Sequence, residues 1–197
     1  MTLSLRQKRR QETAHAIQTA TLELAIENGL ENITTEEIAA AAGVSTRTFF
    51  NYFTNKEAAA IGTPPGFHEE DKAALRDGTA PLAEDLKRFL DRHMETLAKK
   101  DNILRMVGKV LRSNEKARGI LDGFLTIERD DLTECLMARV ENRQVAAAVA
   151  SNVTNVTARA IHLWEHEPDR SLGEALDTIW EGLIVASHLL AGSSDQR

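Results

Sequence analysis

The chain has 197 residues, 42% of them apolar and 27% charged, a mixture that suits a soluble globular protein with a buried core. Its 24 basic and 30 acidic residues leave a net charge of -6, which excludes non-specific coating of nucleic acid and requires any DNA-binding surface to be local. The uncharged run from Gln144 to Ala158 is too short and too polar to span a bilayer, and the lone Cys135 excludes an internal disulfide framework and a multi-cysteine zinc site.

The N-terminal stretch MTLSLRQKRRQ carries Arg6, Lys8, Arg9 and Arg10 but no apolar stretch of a secretory signal, so a cytoplasmic protein without membrane contact is expected. Ser4 and Gln7 have the spacing of a capping box. The periodic positions Ala14, Ile17, Thr21, Leu24 and Ala25 then predict a first helix of about seven turns, stopped at Gly29. Thr34 and Glu37 repeat the capping box for a short second helix running through EEIAAAAG to Gly43. Ser45 caps a third helix, and Thr54 with Glu57 is read as a third box opening a fourth.

Acidic residues occur at about every seventh position, yet none lies between Ile38 and Lys56, where Phe49, Phe50, Tyr52 and Phe53 crowd together. At about 100° per residue, Phe49 and Phe53 fall on the inner face of the third helix. Thr46, Arg47, Phe50 and Asn51 fall on another face, which offers a guanidinium, an amide, a hydroxyl and a ring. Major-groove reading needs this mixture, because Arg bonds guanine, Asn bonds adenine and an apolar group meets the thymine methyl. Two short helices around a glycine turn form a helix-turn-helix pattern, and Lys56 at the start of the fourth helix fits a phosphate contact. Helix pairs of this kind also occur in proteins that do not bind DNA.

The ordered run TTEEIAAAAGVSTRTFFNYFTNKEAAAIG, Thr34 to Gly62, resembles the DNA-binding domain of the TetR family of bacterial transcriptional regulators, especially members carrying STRTFFNYF. The resemblance implies an all-α homodimer: an N-terminal three-helix helix-turn-helix domain, here residues 1–62, followed by a helical effector-binding and dimerisation domain, residues 63–197. Base contacts carry over to Thr46, Arg47, Phe50 and Asn51, and phosphate contacts to Thr35, Thr48, Tyr52 and Lys56. Arg47 stands where many members have Gly or Pro, and Phe50 where many have Tyr, which removes a phenolic phosphate contact. The function implied is that of a repressor bound to a palindromic operator and released by a small molecule.

Beyond Gly62, the segment GTPPGFHEEDKAALRDGTAP reads as a loop or poorly ordered linker with at most a short helical turn. Three apolar stripes follow: Leu82 to Leu97, Ile103 to Leu111, and Ile120 to Val140. Together they are expected to enclose a pocket for a mostly apolar effector, with His93, Met106, Phe124 and Asn152 as candidate contacts. The last two helices, about Arg143 to His166 and Ser171 to Ala191, carry apolar residues around much of their circumference. They predict a dimer seam that includes Val145, Val149, Val153, Val156, Ala160 and Trp164. A fully buried core helix in a monomer produces the same pattern.

His162 and His166 lie one turn apart, but no further metal ligand is near them in sequence, so no metal and no cofactor is expected. His93 fits either an effector contact or a hydrogen-bonded core residue. No phosphate-binding glycine loop, HExxH or nucleophile elbow occurs, which disfavours an enzyme. A dimeric helical adaptor that does not bind DNA remains the other alternative.

Overall fold

The computed structural model describes residues 4–192; the expected domain limits at 1 and 197 lie outside them. Among the described residues there are ten α-helices and one 3-10 turn. They divide into two compact units, and packing does not follow chain order. The first unit joins the chain up to Pro64 with Asp101–Phe124, and the second joins Pro65–Lys100 with the chain from Leu125 onward. Packing therefore adds a later pair of helical segments to the N-terminal region.

In the first unit, α1 (Leu5–Asn28) begins at the Ser4 and Gln7 capping box and ends against Gly29, as its sequence predicts. After the 3-10 turn Leu30–Asn32, the Thr34 and Glu37 box opens α2 (Thr35–Ala41), and Ser45 caps α3 (Thr46–Phe50) by accepting from the Thr48 amide. The cap of α4 (Lys56–Ile61) is Asn55, whose side chain accepts from the Ala58 amide, and not Thr54. The amide oxygen one residue later has the better reach to the orphan N–H groups.

Gly62 ends α4 at φ +68°, and a Cβ there would strike the Gln18 side-chain amide. That amide donates to the carbonyls of Ile61 at 2.9 Å and Ala60 at 3.3 Å, so α1 itself terminates α4. Ile17, Leu22, Leu30, Ile38 and Phe49 form the centre of the core. Val110 of α7 (Asp101–Ser113) and Ala117 of α8 (Glu115–Leu136) complete it. Phe49 is 0% exposed, and burying a side chain of its size contributes about 1.5–3 kcal/mol.

The second unit contains α5 (Glu69–Arg76), α6 (Leu82–Ala98), the later part of α8, α9 (Arg143–His166) and α10 (Leu172–Gly192). The expected linker thus holds a two-turn helix. Leu75 of α5 is buried, and the Lys72 ammonium meets Glu69 and Asp131, which fixes this polar segment. Helix α6 buries Leu86, Phe89, Leu90, His93, Met94 and Leu97 along one stripe. Arg139 donates to the Leu75 carbonyl at 2.9 Å, the Ala80 carbonyl at 2.7 Å and the Asp85 carboxylate at 2.9 Å, tying the α5 end to the α6 start.

Helices α6, α9 and α10 pack on one another. Val153, Val156, Ala160 and Trp164, expected at a dimer seam, are buried within the subunit, whereas Val145 is exposed. A fully apolar helix face fills its own core first. The end of α10 is different: Val185 is 59% exposed and Leu190 78%.

Candidate nucleic-acid interface

The candidate recognition surface is built from the inside outward. Phe49 and Phe53 anchor α3, their rings 6.2 Å apart, and Phe50 meets the edge of Phe49 at 5.3 Å while remaining 53% exposed. The inner aromatics therefore fix the helix while Phe50 faces solvent. Arg47 and Asn51 are exposed and Thr46 is half-buried, so the four residues expected to read bases lie on the side away from the core. The Asn51 amide donates to the Arg47 carbonyl at 3.2 Å, which extends the helical turn through Asn51 and sets both side chains one turn apart.

The residues expected at phosphates make contacts of their own. Thr48 shares a 2.8 Å hydroxyl contact with Ser45, and Thr35 donates to Glu36 at 3.1 Å. The Arg10 guanidinium lies over the half-buried Tyr52 ring at 5.2 Å, joining α1 to the residue just beyond α3. The sequence points to Tyr52 as a phosphate contact but not to this pairing, because a pairing across 42 positions leaves no local signal.

Lys56 has a structural task as well. Its ammonium donates to the carbonyls of Glu31 and Ile33, each at 2.9 Å, and so fastens the chain entering α2 to the start of α4. One of its three N–H groups is left for a further acceptor. Glu31 also accepts from the Asn114 amide at 2.9 Å, and Asn114 caps the Ala117 amide at 2.8 Å. These bonds link the start of α8 to the turn preceding the helix-turn-helix. Asn114 is buried, and nothing in its neighbouring sequence pointed to this role.

The candidate effector residues are distributed between the two units. Met106 and Phe124 belong to the first, where the Ile103 to Leu111 stripe packs on the core beneath the helix-turn-helix. His93 and Asn152 belong to the second; His93 is buried and Asn152 exposed. A recess of about 710 Å³ beside the α9 to α10 turn is lined by polar groups, including Glu167, Arg170, Glu174 and Asp177, and is unlike the expected apolar chamber. His162 and His166 stack with ring centroids 4.2 Å apart. Among the described residues, no group of three or more His, Cys, Asp or Glu is placed to hold a metal ion.

These features define an all-helical protein with an N-terminal helix-turn-helix domain. Residues 17–59 match the family described as "Bacterial regulatory proteins, tetR family". The HTH-type transcriptional regulator TcmR of Streptomyces glaucescens is 32% identical over 146 residues. The match covers 69% of this chain and 62% of TcmR, so the chain spans less than two thirds of that relative's length.

Two solved structures share the fold. Thermus thermophilus FadR, a TetR family transcriptional repressor in complex with lauroyl-CoA, gives a TM-score of 0.51 at 24% identity, over 87% of this chain and 93% of that one. NalD, the secondary repressor of the MexAB-OprM multidrug efflux pump in Pseudomonas aeruginosa, gives 0.59 at 21% identity, over 89% and 96%. The fold is that of TetR-family structures with an N-terminal helix-turn-helix, and the match to that family's model lies within the helix-turn-helix region. Among the described residues, no helix is long and apolar enough to cross a membrane.

Proposed function

We propose that this protein is a ligand-responsive transcriptional repressor that binds a palindromic operator as a homodimer in the cytoplasm and is released by a small, mostly apolar effector. The observation that carries the reading is the divided α3: a core side locked by Phe49 and Phe53, and an exposed side presenting Arg47, Phe50 and Asn51. A helix so held presents base-reading groups without first having to order them. Thr46 joins the base contacts, and Thr35, Thr48, Tyr52 and Lys56 hold phosphates.

The division of roles follows chain order, with DNA binding in residues 1–62 and effector binding and dimerisation in 63–197. The exposed apolar end of α10 supplies the partner surface, with α9 contributing through Val145. A dimer places its two recognition helices about 34–36 Å apart, one turn of DNA, and an effector acts by favouring another spacing. His93, Met106, Phe124 and Asn152 are the candidate effector contacts.

Mobility shift with the DNA upstream of its own gene tests the reading. Specific retardation is expected, weakening with salt at a slope of about 0.9 per phosphate neutralised. Retardation equal to that of random DNA at every salt concentration would remove the operator-binding assignment.

A further inference from the structure

His93 is 7% exposed, and its Nδ1 has no hydrogen-bond partner. A buried polar atom is ordinarily satisfied, so one left open in a packed unit marks a place where a partner is missing. The ring lies between Phe89 and Leu97 on the inner stripe of α6, and the Phe67 ring covers it at 4.6 Å between centroids. Phe67 also lies 4.7 Å from Phe89, so one aromatic side chain occupies the position against both rings.

Phe67 is the least anchored wall of this cluster. It lies outside any helix, after Pro64, Pro65 and Gly66, and is half-buried. Its backbone N–H donates to the Glu128 carboxylate at 2.9 Å, and that carboxylate lies so close to Gly66 that a Cβ there would be 2.6 Å from an oxygen. The floor, by contrast, is fixed within α6.

We propose that Phe67 is a built-in plug, and that the effector is a neutral aromatic molecule carrying a hydroxyl, whose ring replaces Phe67 against Phe89 and whose hydroxyl bonds His93 Nδ1. The inference rests on the effector-responsive reading and specifies its site and ligand class. Asp71 and Glu128 near the cluster oppose an anionic ligand. Burial keeps the imidazole neutral, which suits a hydroxyl partner rather than a carboxylate. Phe67 lies five residues after Gly62, the residue that ends α4, so its release frees the chain leading directly from the helix-turn-helix.

The test titrates 1-naphthol and naphthalene separately into the full chain and its variants by calorimetry, with circular dichroism confirming the fold. A plug that competes with ligand lowers apparent affinity by the fraction of time it is displaced. Phe67→Ala is therefore expected to bind 1-naphthol about tenfold or more tightly than the parent. Phe67→Leu, which keeps an apolar contact and protects against a folding failure, should gain a smaller factor. His93→Phe should abolish the preference for 1-naphthol over naphthalene. Unchanged affinity in both Phe67 variants, or a preference that survives in His93→Phe, overturns the proposal. Mobility shift of the parent with 1-naphthol separates the two readings: affinity gains at Phe67 without operator release leave the plug standing and remove the effector role. Release by some other ligand, with no gain at Phe67, does the reverse.

Discussion

The exposed side of α3 and the exposed end of α10 are both left uncovered by packing within their own units, yet their chemistry is opposite. The α3 side carries Arg47 and Asn51 beside one ring, within a stretch free of acids from Ile38 to Lys56. The α10 end, from Gly182 to Gly192, carries no Asp, Glu, Lys or Arg and exposes Val185, Leu189 and Leu190. A polyanion is met by donors that remain hydrated until contact. An apolar strip lowers its free energy only by excluding water against another surface. Under the proposed function, the first surface selects a sequence, and the second supplies the association that brings two copies of the first together.

The largest effect is expected from breaking the second surface while leaving the first intact. Val185→Arg places a charge on the exposed α10 strip, outside the core of the subunit, so the chain should stay folded and become monomeric. Losing the linked second half-site should lower operator affinity on the order of 10²- to 10⁴-fold. Light scattering gives the mass and mobility shift gives the affinity. A variant that remains dimeric would move the seam away from α10.

Acid should distinguish the two units next. Burial, with His68 nearby, lowers the His93 pKa from 6.5 to about 4, while Asp71 opposes the shift. The unfolded chain then binds a proton that the folded one refuses. Stability of the second unit is complete above pH 6.5 and falls as pH drops toward 4, by roughly 3 kcal/mol over the window. Asp85, held below the usual carboxylate range chiefly by Arg88, gives its contribution above that range and loses it only at still lower pH. Both tryptophans, Trp164 and Trp180, lie in the second unit, so denaturant unfolding followed by their fluorescence at pH 7 and pH 4.5 reads the effect there. His93→Phe should flatten it, and an unchanged pH dependence in that variant would place the acid response elsewhere.

A smaller effect belongs to the reading surface itself. Arg47→Ala removes an exposed side chain and should leave the melting temperature unchanged, yet cost about 1–3 kcal/mol on the preferred operator and relax one base position per half-site. Competition against single-base operator variants measures it. Equal losses on every variant would make Arg47 a backbone contact.

The two units also differ in how far their sequence discloses them. Capping is local chemistry: Ser4, Thr34 and Ser45 each bond an amide three residues ahead, so the starts of α1, α2 and α3 were legible. The inward and outward faces of α3 followed from helical period alone. Long-range partners were not legible, because Lys56 with Glu31, Asn114 with Glu31, and Arg139 with Leu75 are joined only by the fold. Period also misled where it could not say which surface a stripe covers. The Ile103 to Leu111 stripe packs on the core of the first unit, and much of the expected α9 seam is internal. Helix α5 is longer than the short turn expected, because its flanking glycines and prolines outweighed eight residues whose order depends on Lys72 pairing with Asp131.

The smallest effect compares one device used in both units. Thr34 and Glu37 cap α2, and Ser171 and Glu174 cap α10 with the same reciprocal geometry; the Glu37 carboxylate accepts from the Thr34 amide at 2.8 Å and the Glu174 carboxylate from the Ser171 amide at 2.8 Å. Both carboxylates are held below their usual range by these amide donors. Replacing either cap hydroxyl, in Thr34→Ala or Ser171→Ala, should cost about 1 kcal/mol of stability. The consequences for DNA should differ. Helix α2 has seven residues, too few to persist by propagation alone, and it packs directly on α3. Helix α10 has 21 residues and buries Leu172, Ala175 and Leu176 just after its cap, so its start is held twice. Thr34→Ala should therefore weaken operator binding a few-fold by loosening the support of α3, while Ser171→Ala leaves it unchanged. Thr34→Ser, which keeps the acceptor, should restore the parent affinity. Equal losses of operator affinity in the two alanine variants would show that binding follows overall stability, and that α2 gives the reading helix no support of its own.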